Sequence, residues 1–344
     1  MAAPHRGFLL IDKPRGVSSH GVVETVRRVL APGTRRRGAG RFRCGHAGTL
    51  DPLATGLLLI LCGPETRLSR FLLGHDKRYR FTLRLGVSTD TLDADGEEVA
   101  TGGADYCAAD VAAALDAFRG ESQQVPPVIS ALKRGGRPMY ALARGGGDVP
   151  ELAGRPVRIH DIGVCGEARR RAARHGEVCD VDLSVHCASG TYIRSLARDI
   201  AAALGTVGHV FELRRTAIGP FEVAEALGAA RMHDAEALAG ALRPAVVALP
   251  EMPALAVTAA EAAALRQGIQ PETAWLARLP EPPVAWPSGM GEFFRMVDAA
   301  GDLVAVGELA HPSDGANGGP VPPRIAAVFP PQPGESERDR GSCD

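Results

Sequence analysis

Residues 45–56, Gly-His-Ala-Gly-Thr-Leu-Asp-Pro-Leu-Ala-Thr-Gly, carry one carboxylate, Asp51, in a stretch that Gly45 and Gly48 allow to bend closely around a ligand. A carboxylate held in this way can add covalently to an electrophile or stabilise charge that develops in a reaction. Asp followed by Pro is also a helix-start signal, with Asp51 as N-cap and Pro52 at the first helical position. Arg194 follows the turn Ala188-Ser189-Gly190 and is expected in the first turn of a helix running from Thr191 to about Leu204. A helix dipole does not favour a cation there, so Arg194 needs a counter-charge. Asp199, solvent and Asp51 are the candidates.

The elements that position these groups are legible in hydrophobic periodicity. Phe8 to Ile11 reads as a short buried strand, and Ser18 or Ser19 caps a helix with Val22, Val23, Val26, Val29 and Leu30 on one face. The run Leu57-Leu58-Leu59-Ile60-Leu61 anchors the Asp51 turn in a core, and Leu68 to Leu73 is a helical turn. Tyr79, Phe81, Leu83 and Leu85 alternate with Arg80, Thr82 and Arg84, so Tyr79 faces inward on a strand, either as core or as a ring at the mouth of a pocket. The acidic turn 89–96 does not fit the EF-hand register, because position twelve falls on Gly102. A helix is predicted from about Ala108 to Arg119. Further strands are expected over Val157–Val164, Cys179–Cys187 and Val210–Ala217. Residues 221–248 read as alanine-rich helix, and 249–253 as a linker. Thr258 and Glu261 form a capping box for a helix ending near Gly268. Phe293–Leu309 reads as a hairpin and Ile325–Phe329 as a last strand.

The net charge of −1 averages over blocks of opposite sign. Residues 1–80 hold fifteen Lys/Arg against five Asp/Glu and residues 130–219 fourteen against nine, whereas 81–129 and 220–344 are acidic. Concentrated basic blocks suit a polyanion-binding face. Residues 123–155, with Lys133-Arg134-Gly135-Gly136-Arg137, Tyr140 and Gly145-Gly146-Gly147, read as a clamp on nucleic acid or as a solvated loop. The chain has 3 lysines, Lys13, Lys77 and Lys133, beside 36 arginines, so each lysine is a candidate for a site that needs a compact charge. Seven cysteines without a CxxC pair indicate reduced thiols, and Cys44 with His46 lacks a second pair to complete a zinc site. There is no signal-peptide pattern and no apolar run of membrane-spanning length, which points to the cytoplasm.

Several separated segments, taken together, resemble the bacterial tRNA pseudouridine synthase B family. They are Leu10-Ile11-Asp12-Lys13-Pro14, Gly45 to Leu57, Lys77-Arg78-Tyr79-Arg80, Gly86 to Gly96, Ser130-Ala131-Leu132-Lys133, Gly190-Thr191-Tyr192-Ile193-Arg194 and Leu213-Arg214-Arg215. The resemblance covers about residues 7–220, and 252–329 is more weakly similar to the RNA-binding PUA module. It implies an α+β pseudouridine-synthase fold, built on a long mixed, mostly antiparallel sheet flanked by helices. The catalytic domain would span 1–248 with 123–155 as a thumb-like insertion, followed by a small PUA-like β-barrel over 252–329 and a disordered tail over 330–344.

The activity implied is isomerisation of uridine-55 in the tRNA T loop, without metal or cofactor, and with a possible role in tRNA folding. By the same resemblance Asp51 is the catalytic carboxylate, Arg194 its ion-pair partner, and Tyr79 the ring that stacks on the target base. Tyr192 and Leu213 complete the pocket, and His46 fills the space left by the flipped base. Lys13, Lys77, Lys133, Arg214 and Arg215 hold the RNA. The partner expected is the tRNA T arm, bound by a monomer with no obligate protein partner. A non-catalytic tRNA-binding or folding protein is the alternative; a metal-dependent RNA hydrolase is disfavoured, since no acidic or His cluster has usable spacing. The extra basic loop around Arg35 to Arg43 departs from the short family connection, which leaves its role open.

Overall fold

The computed structural model describes residues 5–34, 42–128, 152–174, 176–279, 293–309 and 323–331, with backbone alone at 133–134 and 137–138. The side chain of Lys133, the run Arg35-Arg36-Arg37, most of the 123–155 insertion and most of the 330–344 tail lie outside the described residues.

The strands of the main sheet are β1 (Gly7–Lys13), β2 (Cys44–His46), β3 (Thr55–Cys62), β4 (Lys77–Leu85), β5 (Gly120–Gln124), β6 (Arg155–Val164), β7 (Gly176–Cys187) and β8 (Gly208–Ile218). They run in the order β1-β3-β8-β4-β7-β6-β5, with β2 and two further short strands paired off this path, ten strands among the described residues. Every neighbouring pair on the path is antiparallel except β3 with β8, which is parallel through Thr55–Arg214 and Gly56–Arg215. The sheet is therefore mixed and mostly antiparallel.

Among the described residues the helices are α1 (Ser19–Leu30), α2 (Ser69–Leu72), α3 (Ala108–Leu115), α4 (Ile193–Ala203), α5 (Ala235–Gly240) and α6 (Ala259–Arg266). In α1 the Ser18 hydroxyl accepts from the Gly21 amide at 3.0 Å, closing an orphan donor at the helix start. Its Val22, Val23, Val26 and Leu30 pack on Leu9, Ile11, Leu58 and Ile60 of β1 and β3. Residues of opposite parity on the same strands, Phe8, Leu10, Leu57, Leu59 and Leu61, face a different cluster. This end of the sheet is thus covered on both faces, which is why β3 is apolar without alternation. Each fully buried Leu or Ile there stabilises the fold by about 1.5–3 kcal/mol relative to exposure. Toward β7, helices α3 and α4 cover the face carrying Tyr79, Phe81, Leu83 and Leu85.

A second, four-stranded sheet follows: β9 (Ala254–Ala256), β10 (Phe293–Val297), β11 (Leu303–Glu308) and β12 (Arg324–Val328), in that order. It has its own core of Leu255, Leu265, Phe294, Met296 and Val304, beneath α6 with its Thr258–Glu261 capping box. Phe71 of α2 meets Phe293 edge-on at 5.1 Å, so the two sheets share apolar contact.

Three expectations are corrected. Asp51 does not start a helix: Asp51-Pro52 forms a short turn, closed by the Ala54 amide on the Asp51 carbonyl at 3.1 Å, and the chain enters β3 at Thr55. A five-residue apolar run fits either a buried strand or a helix, and pairing with β1 and β8 decided for the strand. Residues 221–248 hold only the six-residue α5 among short 3₁₀ turns, because Gly228, Gly240 and Pro244 interrupt the alanine pattern. That segment lies along β1 instead, through Leu227 amide to Leu10 carbonyl (2.8 Å) and Arg243 amide to Phe8 carbonyl (2.8 Å). The expected linker is packed: Leu249 and Met252 are buried in the cluster that spans both sheets.

Candidate active site

Asp51 projects into a cavity of about 250 Å³ lined by Gly48 to Asp51, Leu73, Lys77, Tyr79, Gly190 to Arg194, Leu213 and Arg215. Three segments far apart in sequence supply its business side. The turn before β3 brings Asp51, β4 brings Tyr79, and the start of α4 brings Tyr192 and Arg194.

Arg194 Nε stands 2.9 Å from Asp51 Oδ2. The arginine side chain is 6 % exposed while that of Asp51 is 37 % exposed, so the cation is enclosed and the carboxylate remains open to a ligand. A second carboxylate helps to hold the guanidinium: Nη1 is 3.6 Å from Asp93 Oδ2 and donates to the Thr91 carbonyl at 2.8 Å. Asp93 is itself fixed, accepting from Thr91 Oγ1 at 2.6 Å and from the Asp95 amide at 3.1 Å. The acidic turn 89–96 therefore positions Arg194. Of the alternative partners, Asp199 pairs with Arg198 instead, at 2.8 Å. The α4 start is clamped by Gln124, whose Oε1 accepts from the Tyr192 amide at 2.8 Å and whose Nε2 donates to its carbonyl at 3.2 Å.

The turn itself is gripped from behind by Arg215. Its guanidinium donates to the carbonyls of Gly48 (3.0 Å), Thr49 (3.2 Å) and Leu57 (2.8 Å), and the residue is 1 % exposed. Ser19 exchanges hydrogen bonds with Leu50, accepting from its amide at 2.7 Å and donating to its carbonyl at 2.9 Å. Gly48 and Gly56 take φ of +106° and +102°, a region that disfavours side chains. At Gly56 a Cβ would stand 2.8 Å from the Arg215 amide nitrogen and closer still to its carbonyl.

Lys13 and Lys77 are not presented to solvent. Lys13 is 0 % exposed and donates to the carbonyls of Val17 (2.7 Å), Pro14 (2.9 Å) and Pro52 (3.3 Å), tying β1 to the Asp51 turn. Burial lowers its pKa to about 8, opposed by the Asp51 charge. Lys77 donates to Leu73 and His75 carbonyls at 2.7 and 2.6 Å, and burial, with the Arg215 charge, lowers it likewise to about 8. These ammonium groups and Arg215 spend their donors on backbone, so their surroundings are those of loop-positioning residues and not of phosphate contacts. Tyr79 is buried under the same cations; desolvation raises its hydroxyl pKa, and the Arg215 charge opposes that rise.

His46 stands outside the Asp51 cavity, in a neighbouring cleft with Arg43, Thr66 and Ser69, and burial lowers its pKa. Leu213 separates the Asp51 cavity from another cleft of about 450 Å³ that Arg15, Arg80 and Arg214 line. Arg214 is paired to Asp12 at 2.7 and 2.9 Å. Ser19 reads from sequence only as a helix cap, and Thr91, Asp93 and Arg80 lie in segments that carry the resemblance, but none of these, nor Gln124 or Arg15, is given a role at the site by the sequence.

A family model for the TruB family pseudouridylate synthase N-terminal domain matches residues 36–193, and one for the tRNA pseudouridylate synthase B C-terminal domain matches 194–274. The tRNA pseudouridine synthase B of Aromatoleum aromaticum is 43% identical over 267 residues, 76% of this chain and 80% of the relative. That of Saccharophagus degradans is 38% identical over 313 residues, 89% and 92% of the two chains. Among solved structures, a chain of a Cbf5-Nop10-Gar1 complex shares the fold at a TM-score of 0.64 and 24% identity, covering 95% of this chain and 86% of that one. The motifs, the sheet order and these likenesses agree: the chain belongs to the TruB family of pseudouridylate synthases.

Proposed function

We propose that this chain isomerises uridine to pseudouridine in tRNA, at position 55 of the T loop, with Asp51 as the catalytic carboxylate. The observation that carries this reading is the enclosed Arg194 set against an open Asp51 at the floor of a cavity that also holds Tyr79. The reaction breaks the bond from C1′ to N1 and makes one from C1′ to C5, while C5 gives up a proton and N1 gains one. Nothing is oxidised or reduced, so residues alone can supply what is required.

Arg194 favours the ionised form of Asp51 and fixes its direction. The free face of the carboxylate can then add to the base or sugar, or stabilise positive charge at C1′ as the glycosidic bond opens. The uridine must leave its stack to reach this depth. Tyr79 stacks on it, with Tyr192 and Leu213 closing the sides, and His46 in the adjoining cleft occupies the space it vacates. The cleft of Arg15, Arg80 and Arg214 takes the RNA backbone. The 123–155 insertion and the second sheet, read as PUA-like, extend the grip on the T arm. We place this activity in the cytoplasm, in a monomeric enzyme.

The test is pseudouridine mapping of a T-arm RNA incubated with the full chain. Conversion at one uridine, abolished by Asp51→Asn while RNA binding persists, is the expected result. Full conversion by Asp51→Asn would remove the catalytic assignment, and binding without conversion by the unaltered chain would leave a tRNA-binding or folding protein.

A further inference from the structure

Outside the cavity, one group of side chains converges without a role in the chemistry above. Asp76, His160 and His186 bring one ligand atom each within 4.8 Å of one another. His160 Nε2 is 3.0 Å and His186 Nε2 3.8 Å from the same oxygen, Asp76 Oδ2. Their rings lie 4.6 Å apart, tilted by 40°. We infer that Asp76, His160 and His186 form a binding site for a divalent transition ion of the zinc type.

Three features point to a ligand and not to a simple ion pair. His160 Nε2 is shut off from solvent and makes no hydrogen bond among the described residues, although Asp76 Oδ2 stands 3.0 Å from it. Second, zinc bonds of 2.0–2.2 Å to nitrogen and oxygen place tetrahedral donor atoms about 3.4 Å apart, and the two separations on Asp76 bracket that value. Third, a distortion of the sheet aims one of the ligands. The β6–β7 register shifts between Ile159 and Asp161, so His160 is the extra residue of a β-bulge. Buried Ile159 and Ile162 flank it, and without the extra residue His160 and Asp161 would not both be turned outward beside His186.

The ligands come from the start of β4, from β6 and from β7, three adjacent strands, and none of them lines the Asp51 cavity. An ion here would pin these strands together one residue before Lys77. With His186 43 % and Asp76 30 % exposed, water can fill the fourth position. Sequence spacing could not reveal the set, since no two ligands are close in the chain.

The test is titration of the untagged full chain, stripped with chelator, using zinc by calorimetry and cobalt by its visible absorption. One equivalent per chain is expected, with at least a tenfold loss of affinity in each of Asp76→Asn, His160→Gln and His186→Gln. Zinc should also raise the melting temperature of the parent chain and not of these variants, whose folding is checked by circular dichroism. Cys44→Ser, which removes the thiol of the Cys44–His46 pair in the separate cleft of Arg43, Thr66 and Ser69, should bind like the parent. Absence of saturable binding, or binding lost in Cys44→Ser and retained in His160→Gln, would overturn the site.

Discussion

Nε of Arg194, in the first turn of α4, lies 2.9 Å from Oδ2 of Asp51, in the turn that leads into β3. The arginine stands at the positive end of its helix, where the dipole opposes it, and two carboxylates compensate. Removing the guanidinium leaves Asp51 without its partner but leaves the exposed cationic cleft intact. Arg194→Ala is therefore expected to lower kcat by about 10²–10³-fold, as loss of a preorganised electrostatic partner does. T-arm binding should weaken by less than about tenfold. Single-turnover kinetics with a parallel binding assay separates the two; equal losses would make Arg194 a phosphate contact.

Arg215 and Arg80 should differ in salt dependence. Arg215 is enclosed and bonded to three carbonyls, so Arg215→Met should cost about 3 kcal/mol or more in urea unfolding and leave the salt slope of RNA binding unchanged. Arg80 is exposed on the neighbouring cleft, and Arg80→Ala should reduce that slope by about 1 with little effect on stability. Binding isotherms across a salt series check both.

Lys13 carries a pH signature. Its folded pKa of about 8 lies below the model-compound value of 10.5, so between these values the unfolded chain holds a proton that the folded chain has released. Stability contributed at this position rises with pH through that window and is flat below it. The stability difference between the parent chain and Lys13→Met should then grow by on the order of 1 kcal/mol per pH unit from pH 8 to 10. Urea unfolding of both proteins at pH 7.5, 8.5 and 9.5 measures it; a constant difference would show that the ammonium is not desolvated.

Two glycines with similar backbone angles should respond unequally to Ala. Gly56 has φ of +102° and its Cβ would run into the Arg215 backbone, whereas Gly166 has φ of +101° with open space around it. Gly56→Ala is expected to cost about 2–4 kcal/mol, combining strain and overlap. Gly166→Ala should cost about 1–2 kcal/mol from the angle alone. Denaturant midpoints decide this, and equal costs would refute the close approach of β3 and β8.

Local patterns determined a good part of this protein. The Ser18-capped valine helix, the inward alternation of Tyr79 to Leu85, and the Thr258–Glu261 box each depend on neighbours within a few residues, and all three stand where the sequence placed them. The residues that line the Asp51 cavity, apart from Leu73, also lie in or beside motifs read from the sequence. Only the tertiary structure decided what each residue spends its charge on. Lys13, Lys77 and Arg215 read as RNA contacts because a cation's type is visible in sequence and its burial is not. The state of Asp51 was decided in the same way: Leu57 to Leu61 is compatible with helix or strand until β1 and β8 claim its backbone hydrogen bonds. The acidic turn gained its role, and the Asp76, His160 and His186 cluster came into being, only when strands distant in the chain were paired.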